Sequence, residues 1–251
     1  MKNIRFVVLA AGKGTRMKQT TPKALTLVGG KTILQYLIES IEVSKVDGVP
    51  LIVTGPEGNR LCDAFNTNCE YVSQKEQLGT AHAVMMTREA LKEAKTVIVL
   101  YGDHPFISPE SLRRLAERHQ ERNNTITMMT TVVPNFDGWY SAFKFWGKIL
   151  RGANGHISGI REYKDASEIE REIREVNPAL FCFNAKWLWK NIDLVKNDNI
   201  QKEYYLTDLV QMAVAQSEKI SSLMIEPEEA VGINTPQERE VAEEVATRHL
   251  K

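Results

Sequence analysis

The stretch Ala10-Ala11-Gly12-Lys13-Gly14-Thr15-Arg16-Met17, followed by Pro22-Lys23-Ala24-Leu25, concentrates small residues and cations in one short segment. Small residues let backbone N–H groups reach phosphate oxygens with no side chain between them, and Lys13, Arg16 and Lys23 add positive charge at the same place. This is the chemistry of a nucleoside triphosphate site. The apolar run Ile4-Arg5-Phe6-Val7-Val8-Leu9 that leads into it reads as a strand.

Spacing excludes two common phosphate folds. A dinucleotide fingerprint needs a third glycine or alanine where this chain has Met17, after Gly12 and Gly14. The run Gly29-Gly30-Lys31-Thr32 ends like a P-loop, but Leu25 stands where that motif needs its first glycine. It reads instead as a turn before a helix.

A second chemical candidate is Asp103. It follows Thr96-Val97-Ile98-Val99-Leu100-Tyr101-Gly102, a strand apolar at nearly every position, and ligands of open α/β sheets bind beyond the carboxyl ends of such strands. Magnesium takes hard oxygen ligands and keeps waters and phosphate oxygens, so a site needs few protein groups. The other role open to Asp103 is structural, capping the helix that starts near Ser108 or bracing a turn.

These residues must be positioned by alternating elements. Strand patterns at Ile4-Ala10, Val49-Thr54 and Thr96-Tyr101 alternate with helical ones near Thr32-Ser44, Gly79-Glu93 and Ser108-Glu121. Such alternation predicts an α/β fold, Rossmann-like, with a mostly parallel central sheet flanked by helices. From Thr125 the texture turns β-rich, with strands expected at Thr125-Val133, Ala142-Trp146 and Gly159-Tyr163 and a turn at Gly152-Ala153-Asn154-Gly155. This portion is expected to cap the sheet and carry selectivity. Thr235 as N-cap, Pro236 at the first helical position and the Glu- and Ala-rich run beyond predict a last helix over 236–251.

Composition narrows the function classes. A chain of 251 residues, 43% hydrophobic and 25% charged, can bury one large α/β core. Lys plus Arg equals Asp plus Glu at 32 each, so the basic excess of a nucleic-acid binder is missing. Cys62, Cys69 and Cys182 have no zinc-like spacing, and their odd number argues against a disulfide framework. The apolar runs are strand-sized, far below the roughly 20 residues of a membrane helix. No signal-peptide pattern opens the sequence, so a soluble cytoplasmic protein without a membrane partner is expected.

With these pieces in order, the chain resembles the sugar-nucleotidyltransferase family, and within it the uridylyltransferase domain that makes UDP-N-acetylglucosamine. The likeness runs from about residue 4 to 235. It is carried by Leu9 to Met17 with Pro22-Lys23; Gln74-Lys75-Glu76-Gln77-Leu78-Gly79-Thr80-Ala81-His82; Tyr101-Gly102-Asp103; Gly147-Lys148-Ile149; Glu162-Tyr163-Lys164-Asp165-Ala166; Glu203-Tyr204-Tyr205-Leu206-Thr207-Asp208; and Gly232-Ile233-Asn234. The resemblance implies a nucleotidyltransferase domain over 1–235 with UTP and N-acetylglucosamine 1-phosphate as substrates. It assigns Arg16 to the triphosphate and Lys23 to the α-phosphate, and gives Asp103 and Asn234 to Mg²⁺. The base and ribose fall to Ala10, Ala11, Gly12, Gly14, Gln74, Gly79 and Thr80, and the sugar to Gly147, Glu162, Asn177, Tyr205 and Thr207. No general base is needed, because a sugar phosphate is already an oxygen nucleophile, and the five scattered histidines agree. Neither His82 nor His104 lies in a metal-ligand spacing, and His104, beside Asp103, reads as a loop residue.

Departures fall on the sugar side. The family's Asn-Thr-Gly is Asn177-Pro178-Ala179 here, and Trp139-Tyr140-Ser141-Ala142-Phe143-Lys144-Phe145-Trp146 is longer and more aromatic than usual. Another sugar 1-phosphate or another NTP is therefore the alternative, and a non-catalytic sugar-nucleotide sensor is the alternative of a different class. In the resembling enzyme such a domain leads into a β-helix acetyltransferase domain. No hexapeptide repeats occur in this sequence, and acetyl transfer is not expected of it.

Overall fold

The computed structural model describes residues 3–12, 14–17, 21–56, 58–65 and 69–249. In chain order these form β1 (Ile4–Ala10), β2 (Leu27–Val28), β3 (Lys31–Thr32), α1 (Ile33–Ser44), β4 (Leu51–Thr54), α2 (Asn59–Phe65), β5 (Glu70–Ser73), α3 (Thr80–Met85), β6 (Thr96–Tyr101) and α4 (Pro109–Glu121). The second half adds β7 (Ile126–Val132), β8 (Lys148–Arg151), β9 (Ile157–Arg161), α5 (Glu168–Arg171), β10 (Glu175–Val176), β11 (Phe181–Asn184), α6 (Ala185–Asn191), α7 (Asp208–Ala215), β12 (Ile220–Met224), α8 (Pro227–Ala230) and α9 (Pro236–His249).

Ten strands make one mixed sheet in the order β5-β4-β1-β6-β11-β7-β10-β8-β9, with β12 beside β7. Its first four strands are parallel, with Val7 in register with Leu51 on one side and Val99 on the other. Alternation along β1 and β6 sends Phe6, Val8, Ile98 and Leu100 to one face, against α1, α4 and α9. Val7, Val97 and Val99 go to the other, against α3, α6 and α7. Both faces are covered, which is why these strands are apolar almost throughout.

The β-rich half does not cap this sheet; it continues it. β11 lies antiparallel between β6 and β7, and β10, β8 and β9 extend the far edge. Strand β4 starts at Leu51 rather than Val49, after Pro50, which has no N–H for a ladder. The helix expected to Glu93 stops at Met85, and residues 86–93 are turns in which Thr87 Oγ1 donates to the Val84 carbonyl at 2.7 Å. Ala142-Trp146 is not a strand. Gly138 at φ +56° opens a tight 3₁₀ turn over Gly138–Phe143, and Trp139, Phe143 and Trp146 pack edge to face at 5.7 and 4.8 Å. Core packing overrides the strand propensity of these aromatics. The third expected strand is shifted by two residues to Ile157–Arg161, so Glu162 follows its end.

Gly29 and Gly30, at φ +55° and +85°, turn the β2–β3 hairpin, and Thr32 then caps α1 by accepting from the Gln35 N–H at 3.2 Å. The P-loop-like run is thus a turn before a helix. In α9, Thr235 Oγ1 accepts from the Glu238 N–H at 3.2 Å, and Ala242, Val245 and Ala246 dock on the core. Among the described residues no helix is long and apolar enough to cross a membrane.

Candidate active site

Parallel pairing of β1 with β6 brings Leu9 beside Tyr101 and so places the loops after both strands side by side. The backbones nearly touch: the Gly102 N–H donates to the Leu9 carbonyl at 3.0 Å, and a Cβ at Gly102 would lie 3.2 Å from Ala10 Cβ. Asp103 enters the cleft from this point, 8% exposed. Its Oδ2 is 2.5 Å from Lys23 Nζ, which also donates to Asn234 Oδ1 at 2.8 Å. Arg16 Nη2 reaches the same Asn234 oxygen at 3.2 Å. Asn234 is held by its neighbours, since the Ile233 N–H donates to the Asp103 carbonyl at 2.9 Å and the Asn234 N–H to Glu238 Oε2 at 2.6 Å. Asp103 does not cap the following helix; Ser108 does so itself, accepting from the Ser111 N–H at 3.1 Å.

Burial alone would raise the Asp103 pKa, but the Lys23 ammonium and His104 outweigh it and hold the carboxyl far below the ordinary aspartate range. Asp103 Oδ2 and Asn234 Oδ1 converge on a single cationic centre, here the Lys23 ammonium. One carboxylate and one amide oxygen facing one point are a hard-oxygen pair that fits Mg²⁺.

One lobe of the cleft, about 780 Å³, is lined by Ala10, Ala11, Gly12, Gly14, Gln74, Gly79 and Thr80, as well as Arg16 and Lys23. Gly14, at φ +62°, folds back so that a Cβ would come within 3.1 Å of Lys23 Cβ. Gln74 is buried, with Nε2 donating to the Gly79 carbonyl at 3.1 Å and lying 2.9 Å from His82 Nδ1. Gly79 sits at φ +120°, where a Cβ would be 2.5 Å from the Tyr204 carbonyl oxygen. Thr80 Oγ1 accepts from the Leu206 N–H at 2.9 Å. Gln77 donates to the Ala11 carbonyl across the mouth of the lobe.

The second lobe, about 670 Å³, shares Arg16, Asp103 and Asn234 with the first. Gly147, Glu162, Asn177, Tyr205 and Thr207 all line it. Thr207 Oγ1 donates to Glu162 Oε1 at 3.1 Å, while a Cβ at Gly147 would stand 3.5 Å from both Glu162 oxygens. Burial raises the Glu162 pKa against the opposing Thr207 bond, with Asp208 and Asp165 adding to the rise. Burial also pushes Tyr205 up to about 12, helped by Glu203 and Glu162. Among the described residues Glu162 makes no ion pair: Lys164 bonds Gln201 at 3.1 Å and Arg161 bonds Glu170 at 3.3 Å. Asn177 Oδ1 is used locally, accepting from the Ala179 N–H at 2.9 Å and helping hold Ala179 at φ +60°. Of the aromatic segment, Phe145 is 67% exposed and borders both lobes, Trp146 lines the second lobe while packing against the core, and Trp139 and Tyr140 pack against the core. Lys148, next to Gly147, is fully buried, donates to the Lys144 carbonyl at 3.0 Å and lies over the Phe136 ring at 4.1 Å. Burial lowers its pKa to about 8.

Residues 6–176 match the MobA-like NTP transferase domain. The chain belongs to this family. Curated relatives are the bifunctional protein GlmU of Brevibacillus brevis, 39% identical over 93% of this chain and 50% of the relative, and GlmU of Clostridioides difficile, 38% identical over 99% and 52%. The chain thus spans about half the length of the curated relatives it matches. A crystal structure of UDP-glucose pyrophosphorylase complexed with UDP-glucose shares the fold, with a TM-score of 0.78 at 17% identity over 98% of each chain. This NTP transferase thus resembles about half of GlmU in sequence and UDP-glucose pyrophosphorylase in fold.

In this NTP transferase the structure brings every expected site residue to the cleft, among those described; Lys13 lies outside the described residues. Sequence reasoning missed several supporting groups. His82 touches Gln74 and His104 touches Asp103, at 2.9 Å each, although both were set aside. Tyr204, Gln77 and Glu238 act through backbone or on backbone, which leaves no chemical signature in a sequence. For His104 a signal existed, its adjacency to Asp103.

Proposed function

We propose that this NTP transferase moves a uridylyl group from UTP to N-acetylglucosamine 1-phosphate, forming UDP-N-acetylglucosamine and pyrophosphate. The observation that carries this reading is the Lys23–Asp103–Asn234 cluster, whose Asp103 and Asn234 line both lobes while Lys23 lines the first. A reaction joining two phosphates needs its charge at the point where they meet.

A phosphate oxygen of the sugar 1-phosphate attacks the α-phosphorus of UTP in line, the bond to the bridging oxygen breaks, and pyrophosphate leaves with the electron pair. No proton moves. The barrier is repulsion between anions, so catalysis lies in positioning and charge neutralisation. Lys23 and Arg16 meet the phosphates at the lobe boundary, Lys23 beside the α-phosphate and Arg16 towards the outer phosphates. Asp103 and Asn234 would hold Mg²⁺, which when bound supplies further positive charge to the phosphate oxygens. Gln74, Gly79 and Thr80 face the base, where an amide side chain and a bare backbone can read the uracil edge. Ala10, Ala11, Gly12 and Gly14 leave room for the ribose and phosphates. Glu162, held by Thr207, accepts from sugar hydroxyls, with Gly147, Asn177 and Tyr205 completing that wall.

A second sugar is favoured by one observation. Ala179 carries a methyl group in a left-handed conformation on the sugar lobe, where it takes space from an acetamido group. Glucose 1-phosphate is the substrate that reading predicts. The sensor alternative requires loss of Arg16, Lys23 or Asp103, and all are present. Pyrophosphate release with UTP and Mg²⁺ decides among them. Release dependent on N-acetylglucosamine 1-phosphate supports the proposal, preference for glucose 1-phosphate changes the sugar, and no release from protein that binds UTP supports the sensor.

A further inference from the structure

His104 is 5% exposed and its Nδ1 lies 2.9 Å from Asp103 Oδ1, while its Nε2 is buried with no hydrogen-bond partner among the described residues. The ring is fixed on three sides. Trp146 meets it edge to face at 5.5 Å, Tyr101 at 6.3 Å, and a Cβ at Gly232 would come within 3.1 Å of Nε2. A buried polar atom left without a partner costs free energy, so a ring held this way is kept for what its other nitrogen does.

We propose that His104 is a positioning residue that fixes the rotation of the Asp103 carboxylate, so that Oδ2 alone faces Lys23 and Asn234. The inference rests on the reading of Asp103 and Asn234 as the cation-holding pair. An ionised carboxylate only accepts, so the Nδ1 side of the ring carries the proton and donates to Oδ1. Asp103 terminal torsion is otherwise soft and roughly two-fold, leaving its two oxygens interchangeable. The His104 bond removes that freedom. One oxygen is committed to the ring and the other stays aimed at the point shared with Asn234 Oδ1. Trp146, on the aromatic segment, and Gly232, two residues before Asn234, therefore act on Asp103 through the imidazole.

The test uses Mn²⁺ binding to the intact protein, read by loss of the free-ion electron paramagnetic resonance signal, with no turnover required. Two variants keep a polar amide but place its N–H differently. His104→Asn puts a donor near the Nδ1 position and His104→Gln near the Nε2 position. His104→Gln should weaken Mn²⁺ binding by about 10–100-fold, the range for losing a partner that orients a metal ligand. His104→Asn should stay within about threefold of the unaltered protein. UTP binding without metal should be equal in both, which a merely damaged fold would not give. Equal Mn²⁺ affinity in the two variants overturns the inference, provided Asp103→Asn abolishes binding. If Asp103→Asn binds Mn²⁺ as the unaltered protein does, the cation-site reading itself is overturned.

Discussion

Replacing Lys23 by alanine removes the cation that two buried oxygens share, and the structure sets the size of two separate effects. The Lys23 and Asp103 side chains are 18% and 11% exposed, so the pair is mostly but not wholly removed from water. Breaking a buried pair from one side costs about 3–5 kcal/mol, and residual exposure plus the surviving His104 bond place this case near about 3 kcal/mol. In a protein of this size that lowers Tm by roughly 6–12 °C. The loss depends on pH with a definite sign. Asp103 has its pKa depressed by folding, so the pair stabilises fully above the ordinary aspartate value of 3.8 and loses its contribution as pH falls below it. Urea denaturation from pH 7 down to pH 3 should show a constant difference between the two proteins above the ordinary aspartate value of 3.8, beginning to narrow below it. Turnover is the second effect. Loss of one preorganised charge at the reacting phosphate should lower kcat by about 10²–10³. A Lys23→Ala protein with an unchanged midpoint at pH 7, or with a folded enzyme slowed less than threefold, would refute the reasoning.

Three further outcomes follow from the same geometry. Because burial raises the Glu162 pKa above its ordinary 4.5, the sugar KM should rise as pH falls towards that raised value, and in Glu162→Gln this acid limb should vanish from steady-state kinetics. Gly79→Ala forces a Cβ to 2.5 Å from a backbone oxygen at a positive φ, which should cost about 2–5 kcal/mol in denaturant titration; unchanged stability would contradict it. The Lys148 ammonium titrates near 8 in the fold against 10.5 when free, so the unfolded chain binds more protons between these values. Unfolding midpoints should therefore climb from pH 8 to 10.5, and Lys148→Met should be flat over that window.

Much of the site was legible because its chemistry is local. The loop from Ala10 to Lys23 carries its glycines and cations in one segment, and Asp103 announces itself by following an apolar strand. Asn234 does not; it stands 211 residues from Lys23 along the chain, and only the resemblance pointed to it. The strand expected at Ala142-Trp146 is absent because strand propensity describes what such residues do on a pleated surface, whereas here they fill a core around a tight turn. The sheet's continuation through β11 was equally hidden, since antiparallel insertion is a long-range pairing with no local pattern. The histidines were undervalued for a related reason. His82 meets Gln74 only once the chain has folded, whereas His104 meets the Asp103 beside it in sequence.

The turn 78–81 and the segment 204–206 are sewn together: the Tyr204 N–H donates to the Leu78 carbonyl at 2.8 Å, the Ala81 N–H to the Tyr204 carbonyl at 2.9 Å, and the Leu206 N–H to Thr80 Oγ1 at 2.9 Å. One side of this seam borders the first lobe and the other leads into Tyr205 and Thr207 of the second. The two lobes are therefore not interchangeable modules. A graft that imports a relative's 204–207 segment to change the sugar must import its 78–81 turn as well, or the recipient's Gly79 will meet a backbone it was not shaped against.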